Sequence, residues 1–194
     1  ERPAQNKVSQ ISLDLTSCED STLRELVESH DHIIHLAGDT TVTANGYEIE
    51  YFHSWVQPLQ RILELMIGSD KKLLFASSVS VYGLSPSFPV SENSPEQPLT
   101  SYDLAKITCD NLIKFYREAY DVNCSSLRFS SIYGPQTTYG NPSRRILNKL
   151  LDIIHTNREI SVVGSGDYFR NYIHVHDAIG IILELIEYEQ TLPA

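Results

Sequence analysis

Apolar and polar positions follow two rhythms along this chain, short apolar runs and longer stretches of helical period, and the two alternate. Residues 8–13 read as a strand. Thr16 or Ser17 is placed to cap a helix reaching about residue 29, with Glu19 and Asp20 in a first turn where the helix dipole favours acids. Residues 32–37, HIIHLA, form a short apolar run of the kind expected of a strand buried on both faces. Residues 46–67 carry a long helical pattern that Gly68 stops, and 72–77 is a further buried strand. Residues 84–99 hold four prolines and several serines and read as a loop. A helix over 100–120, a strand over 124–129 and a loop over 130–142 follow. Residues 144–157 are amphipathic, with Ile146, Leu147, Leu150, Leu151, Ile153 and Ile154 on the apolar side. Short strands at 160–163 and 171–175 precede a closing helix over 176–188, for which Asp177 is the expected N-cap.

Strands alternating with helices imply an α/β fold, a parallel sheet wound on both faces, in which ligands sit beyond the carboxyl ends of the strands. The polar stretches at 38–41, 77–80 and 130–131 fall at such ends. The expected organisation is a core over residues 1–135 and a smaller region over 136–194.

Composition narrows the function classes. The 194 residues carry 25 acids against 15 bases, a net charge of −10, which argues against a nucleic-acid surface but leaves room for local arginines that hold a phosphate. No apolar run approaches the roughly 20 residues a membrane span needs. The polar stretch over residues 1–10 has no leader character. The three cysteines, Cys18, Cys109 and Cys124, have no metal-type spacing and read as reduced thiols of a cytosolic protein. His30, His32 and His35 resemble a metal cluster by count, but alternation along a strand sends neighbours to different faces, so no metal is expected.

The chemistry starts at Tyr102 and Lys106, four apart and therefore on one helical face. A phenol near pKa ~10 is a poor base at neutral pH, and an ammonium close by favours the phenolate. Such a pair suits moving a proton on or off a hydroxyl. Two residues alone are a weak signal; their surroundings are not. Residues 75–83 read FASSVSVYG, a buried strand ending in serines, and 92–106 read ENSPEQPLTSYDLAK. Residues 127–135 read LRFSSIYGP, and 160–177 read ISVVGSGDYFRNYIHVHD.

In this order, over about residues 12–178, these segments resemble the extended short-chain dehydrogenases/reductases that act on nucleotide sugars, the NAD-dependent epimerase/dehydratase type. The resemblance implies a Rossmann-type sheet and a redox triad of Ser78, Tyr102 and Lys106. Asp14 and Leu15 match the pair beside the adenine, although Asp14 could equally cap the helix after it. Leu36, Ala37 and Gly38 match the loop that passes the cofactor. Ala76, Tyr102, Lys106 and Ser130 are further implied cofactor contacts. Arg170 matches the arginine on the substrate diphosphate, and Ser80 and Ser131 fall where the sugar is contacted. The implied cofactor is NAD, with NADP open, and the implied partner is a nucleotide-diphosphate sugar. A homodimer through the two long helices is expected by analogy, where Trp55 and Tyr51 would serve core or interface.

Departures from the pattern refine this. The Gly-x-x-Gly-x-x-Gly turn that brings backbone to the pyrophosphate is not found, so a βαβ unit of roughly 30 residues is expected to precede this stretch in a longer protein. The strand that selects NAD or NADP goes with it. Val79 and Ser80 replace the Asp-Glu pair of sugar 4,6-dehydratases, which argues against dehydration. Residues 55–59, WVQPL, stand where Asn-Val-x-Gly-Thr is usual, which removes a cofactor-side contact. Asp103 stands where glycine is common, and Ser131 where asparagine is. The favoured function is an epimerase working by transient hydride transfer. The alternatives are an NADPH-dependent reductase on the same triad, and a non-catalytic fragment or regulatory binding member of the fold.

Overall fold

The periodicity of α2 and α3 decides where the core lies. In the computed structural model, which describes residues 8–38, 49–84, 89–135, 146–156 and 170–193, Trp55, Leu59, Ile62, Leu63 and Met66 share one buried face of α2 (Ile49–Met66). Ala105, Cys109, Ile113 and Tyr116 do the same on α3 (Ser101–Tyr120). These spacings of three and four residues are those of a single helical face. The two faces meet Leu23 and Val27 of α1 (Asp20–Glu28) and Leu73 and Phe75 of β2 (Lys72–Ser78) in one apolar cluster. Pro58 lies inside α2, fully buried, and the helix runs through it.

β2 lies between β1 (His32–His35) and β3 (Cys124–Phe129). β1 and β2 run parallel, with His32 opposite Lys72 and His35 opposite Phe75, so their carboxyl ends are side by side. After β2 the chain takes a short 3-10 turn over Val79–Tyr82. The described chain divides into two units, residues 8–127 with 191–193 in one and residues 128–190 in the other. The tail is tied to the first unit by Arg117, which donates to the carbonyls of Cys124 (3.2 Å), Leu192 and Pro193 (2.9 Å). Ser125 Oγ adds a bond to the Pro193 carbonyl at 2.8 Å, and Leu192 is wholly buried. The second unit holds a parallel pair, β4 (Ser131–Tyr133) with β5 (Tyr172–His174), and two helices, α4 (Ile146–His155) and α5 (Val175–Glu187).

The α/β class and parallel pairing expected from the sequence are present, with several corrections. Residues 8–13 are not a strand: Val8 is 93% and Ile11 61% exposed, and a ladder needs a neighbour that this stretch lacks among the described residues. β1 is not buried on both faces. Only His35 is buried and Ile34 stands 40% exposed, as on an edge strand. α1 begins at Asp20 rather than near Ser17, with Glu19 as an N-cap that makes no side-chain capping bond. β4 falls inside the expected loop over 130–142. His174, whose Nδ1 accepts from the His176 N–H at 3.3 Å, caps α5 in place of Asp177, which sits in the first turn. The expected strand at 160–163 and the start of the long helix at 46–48 lie outside the described residues. Among the described residues, no helix is long and apolar enough to cross a membrane.

Asp103, an odd residue in the sequence pattern, acquires a structural reason here. Its carboxylate accepts from the Leu99 N–H (3.2 Å), the Thr100 N–H (3.0 Å) and the Thr100 hydroxyl (2.9 Å), while Thr100 Oγ1 accepts from the Asp103 N–H (3.2 Å). This reciprocal box starts α3. Thr100→Ala should cost about 1 kcal/mol. Asp103→Ala should cost more, about 2–3 kcal/mol, because two backbone donors lose their acceptor. Denaturant midpoints of the two variants against wild type measure both, and equal losses would contradict this ordering.

Candidate functional site

Because β1 and β2 are parallel and His35 lies opposite Phe75, residues 36–38 leave β1 next to residues 76–78 at the end of β2. Ser78 is the last residue of β2, in extended conformation, and its Oγ accepts from the Ser80 N–H at 3.2 Å, capping the 3-10 turn. Val81 and Tyr82 anchor that turn by burial, and the Gln97 N–H bonds the Val81 carbonyl at 2.9 Å. Gly83 closes it at φ +55°, where a Cβ would lie 2.0 Å from the Gln97 carbonyl oxygen; only glycine fits. The serine at the strand end is therefore fixed by backbone bonds and packing on both sides.

Tyr102 and Lys106 are one turn apart at the start of α3. The Ser78 hydroxyl lies close to the Tyr102 phenol. Burial pushes that phenol above its usual value; the Ser78 hydroxyl opposes the rise and the Asp103 charge adds to it. The ammonium-driven lowering expected from the sequence is not what this geometry produces, because Lys106 faces elsewhere. Its Nζ donates to the Ala76 carbonyl at 2.5 Å and lies 3.1 Å from the centre of the Trp55 ring, 4.6 Å from that of Phe75 and 5.5 Å from that of Tyr102. Burial takes Lys106 down to about 7, against the pull of Cys109 and Asp110.

Gly38, three residues past β1, has φ +153°, and a Cβ there would lie 2.3 Å from ring atoms of Trp55. The indole thus fills the space beside this loop. His35 packs against the same rings, its centre 6.4 Å from Trp55 and 5.7 Å from Phe75, with Nε2 buried and unpartnered among the described residues. The hydroxyls of Ser77 and Ser80 are likewise buried without a partner among the described residues. Leu36 and Ala37 are exposed.

Asp14 is exposed, and its carboxylate accepts from the Thr16 N–H (2.9 Å), the Thr16 hydroxyl (2.7 Å) and the Ser17 hydroxyl (2.9 Å). The Thr16 bonds, then that of Ser17, hold it below the usual carboxylate range. It caps its own turn, not α1. Arg61, unnoticed in the sequence, holds that turn from α2 by donating to the carbonyls of Leu15 (2.7 Å) and Cys18 (2.7 Å) and to Asp20 (2.7 Å). Its signal would have been a lone arginine on the otherwise apolar, core-facing side of a helix.

Ser130, Ser131 and Arg170 belong to the second unit. Ser131 is exposed, pairs with Tyr172 and donates its N–H to the Asn171 carbonyl at 3.2 Å, which brings it to the chain segment of the exposed Arg170. Ser130 is half-buried just before β4. The structure therefore gathers Tyr102, Lys106 and Gly38 around Trp55, with Ala76 on the Lys106 ammonium and Ser78 beside Tyr102, in one unit, and Ser131 with the Arg170 segment in the other.

Burial depresses His35 to about 4, with the Lys106 charge adding to the effect. An unfolded histidine titrates near 6.5. Between these values the unfolded chain binds the extra proton, so stability falls as pH drops from about 6.5 to about 4, by on the order of 3 kcal/mol. Replacing His35 with leucine should remove this part of the pH dependence. Denaturation of both proteins across that window measures it, and parallel curves would refute the neutral buried state.

The model of the NAD dependent epimerase/dehydratase family matches residues 2–193. A Bacillus subtilis (strain 168) protein named "Uncharacterized UDP-glucose epimerase YtcB" is 30% identical over 162 residues, 81% of this chain and 49% of that protein. A Rhizobium meliloti (strain 1021) protein named "Probable UDP-glucuronate 4-epimerase" is 30% identical over 159 residues, 79% of this chain and 45% of that protein. The crystal structure of the UDP-glucuronic acid 4-epimerase from Bacillus cereus, in complex with UDP-glucuronic acid and NAD, superposes with a TM-score of 0.79 at 22% identity, over 93% of this chain and 56% of that one. The chain spans about half the length of the curated relatives it matches.

Proposed function

The chain belongs to the NAD dependent epimerase/dehydratase family, and from that premise we propose that it carries the catalytic part of an NAD-dependent nucleotide-sugar epimerase. The observation that supports this most is the placement of Ser78 at the carboxyl end of a parallel strand beside Tyr102, with Lys106 one helical turn further along α3. Tyr102 takes a proton from a sugar hydroxyl and later returns it. Ser78 holds the reacting oxygen. The buried Ser77 hydroxyl, without a partner among the described residues, suits the nicotinamide half of a dinucleotide. Residues 36–38, Ala76 and Ser130 would line it, and Asp14 and Leu15 would meet the adenine end. A bound NAD would supply the hydride chemistry, accepting a hydride from the sugar carbon and giving it back. Arg170 meets the substrate diphosphate, and Ser80 and Ser131 meet the sugar. NAD is favoured because the Bacillus cereus enzyme was crystallised with it. Val79 and Ser80 offer no acid for eliminating water, which separates this reading from the dehydratases of the family. A cytosolic homodimer completes the proposal.

A second reading, a non-catalytic binding member, has one observation in its favour: Lys106 is turned onto Trp55 and the Ala76 carbonyl. The test uses the protein as its gene encodes it, with released cofactor identified and UDP-, GDP- and dTDP-sugars offered in turn. Bound NAD and conversion of one sugar to its epimer, lowered about 10²- to 10⁴-fold by Tyr102→Phe with folding intact, is the expected result. Net oxidation of NADPH by a keto sugar would replace the epimerase by a reductase. An inert protein would leave the non-catalytic reading.

A further inference from the structure

Lys106 is 1% exposed. A buried ammonium needs strong compensation. Among the described residues no carboxylate pairs with it, and its one hydrogen bond is to the Ala76 carbonyl. What surrounds it is aromatic: Trp55 from α2, Phe75 from β2 and Tyr102 from its own helix. Tryptophan gives the strongest cation–π attraction of the three, and its ring centre is the nearest at 3.1 Å. The same indole occupies the space that a side chain on Gly38 would need. One ring therefore touches both the lysine and the loop after β1.

We infer that Trp55 is the positioning residue for Lys106: its indole face, in place of a polar partner, holds the ammonium beside the Ala76 carbonyl and links it to the Gly38 loop. That this lysine serves a nicotinamide ribose rests on the function proposed above; the cage itself does not. The titratable groups facing Lys106 are His35 from β1 and Tyr102, Cys109 and Asp110 from α3. α2 contributes the uncharged indole, and β2 a carbonyl and a phenyl ring. Burial brings the lysine to about 7, where both charge states are populated, and the ring favours the charged one. Leucine at position 55 would keep the site dry but take the π face away, so the ammonium would lose support.

The test is a pH titration by NMR of the protein as its gene encodes it, carrying ¹³C-labelled lysine, with the Lys106 resonance assigned by its loss in Lys106→Arg. The wild-type midpoint is expected near neutrality. The Trp55 indole signal, assigned by its loss in Trp55→Phe, should move with the same midpoint. Trp55→Leu should lower the midpoint by about one unit, a tenfold change, and Trp55→Phe by less. If leucine destabilises the protein too far to titrate, the phenylalanine variant carries the same prediction. Gly38→Ala, which drives a methyl into the ring, should also shift the midpoint. Unchanged midpoints in the Trp55 variants would overturn the cage and leave Trp55 a packing residue, whatever the activity. Shifted midpoints in a protein that lacks epimerase activity would keep the cage and sink the functional reading alone.

Discussion

The ammonium of Lys106 sits in the middle of an apolar cluster, and its neighbours have to accommodate it. Taking a charge out of water is costly, and here the cost is offset by one carbonyl and three ring faces rather than by a carboxylate. That arrangement calls for aromatic residues at particular places. Trp55 must face inward from α2, and Phe75 must lie in the middle of β2. The loop after β1 must give the indole room, so a residue without a side chain follows the strand. Helix, strand and loop are thus placed around one nitrogen. Residues of α2 and α3 join those of β2 in one continuous core.

Ser78 and Tyr102 are held differently, by backbone bonds at element ends. Ser78 stops a strand and starts a 3-10 turn, and its side chain caps that turn. Tyr102 is the second residue of a helix whose start is closed by the Thr100–Asp103 box. These two side chains therefore come from a strand end and a helix start, each fixed by local bonds. Asp103, which departs from the usual pattern, strengthens the second of these anchors while its charge makes the neighbouring phenol harder to ionise.

Much of this was legible in the sequence. The strand over 124–129 and the helix after Thr100 were readable because apolar spacing and capping chemistry are local signals. The shared helical face of Tyr102 and Lys106 follows from their spacing, whereas the role expected of Ser78 came from the family resemblance. What failed depends on partners. Residues 8–13 have strand-like composition, but a ladder is a property of two segments. The short β4 is stabilised by β5, some forty residues on, and has no signature of its own. Trp55 read as core, which it is at 2% exposure, but sequence could not show that a lysine on another helix would end against its ring. Arg61 was missed for the same reason: its partners lie across the core surface in the turn after Asp14.

Burial acts on Tyr102 and Lys106 toward the neutral form of each, raising the phenol and lowering the amine. A phenol held up is scarcely ionised at neutral pH, so proton abstraction there needs positive charge near its oxygen. An anionic ligand alone works against this, since a nearby negative charge raises the phenol further. The charge that can help already exists in the protein, 5.5 Å from the Tyr102 ring centre but directed at Ala76 and Trp55. The indole and the Ala76 carbonyl hold that ammonium, and the same indole fills the space beside Gly38 at the end of β1.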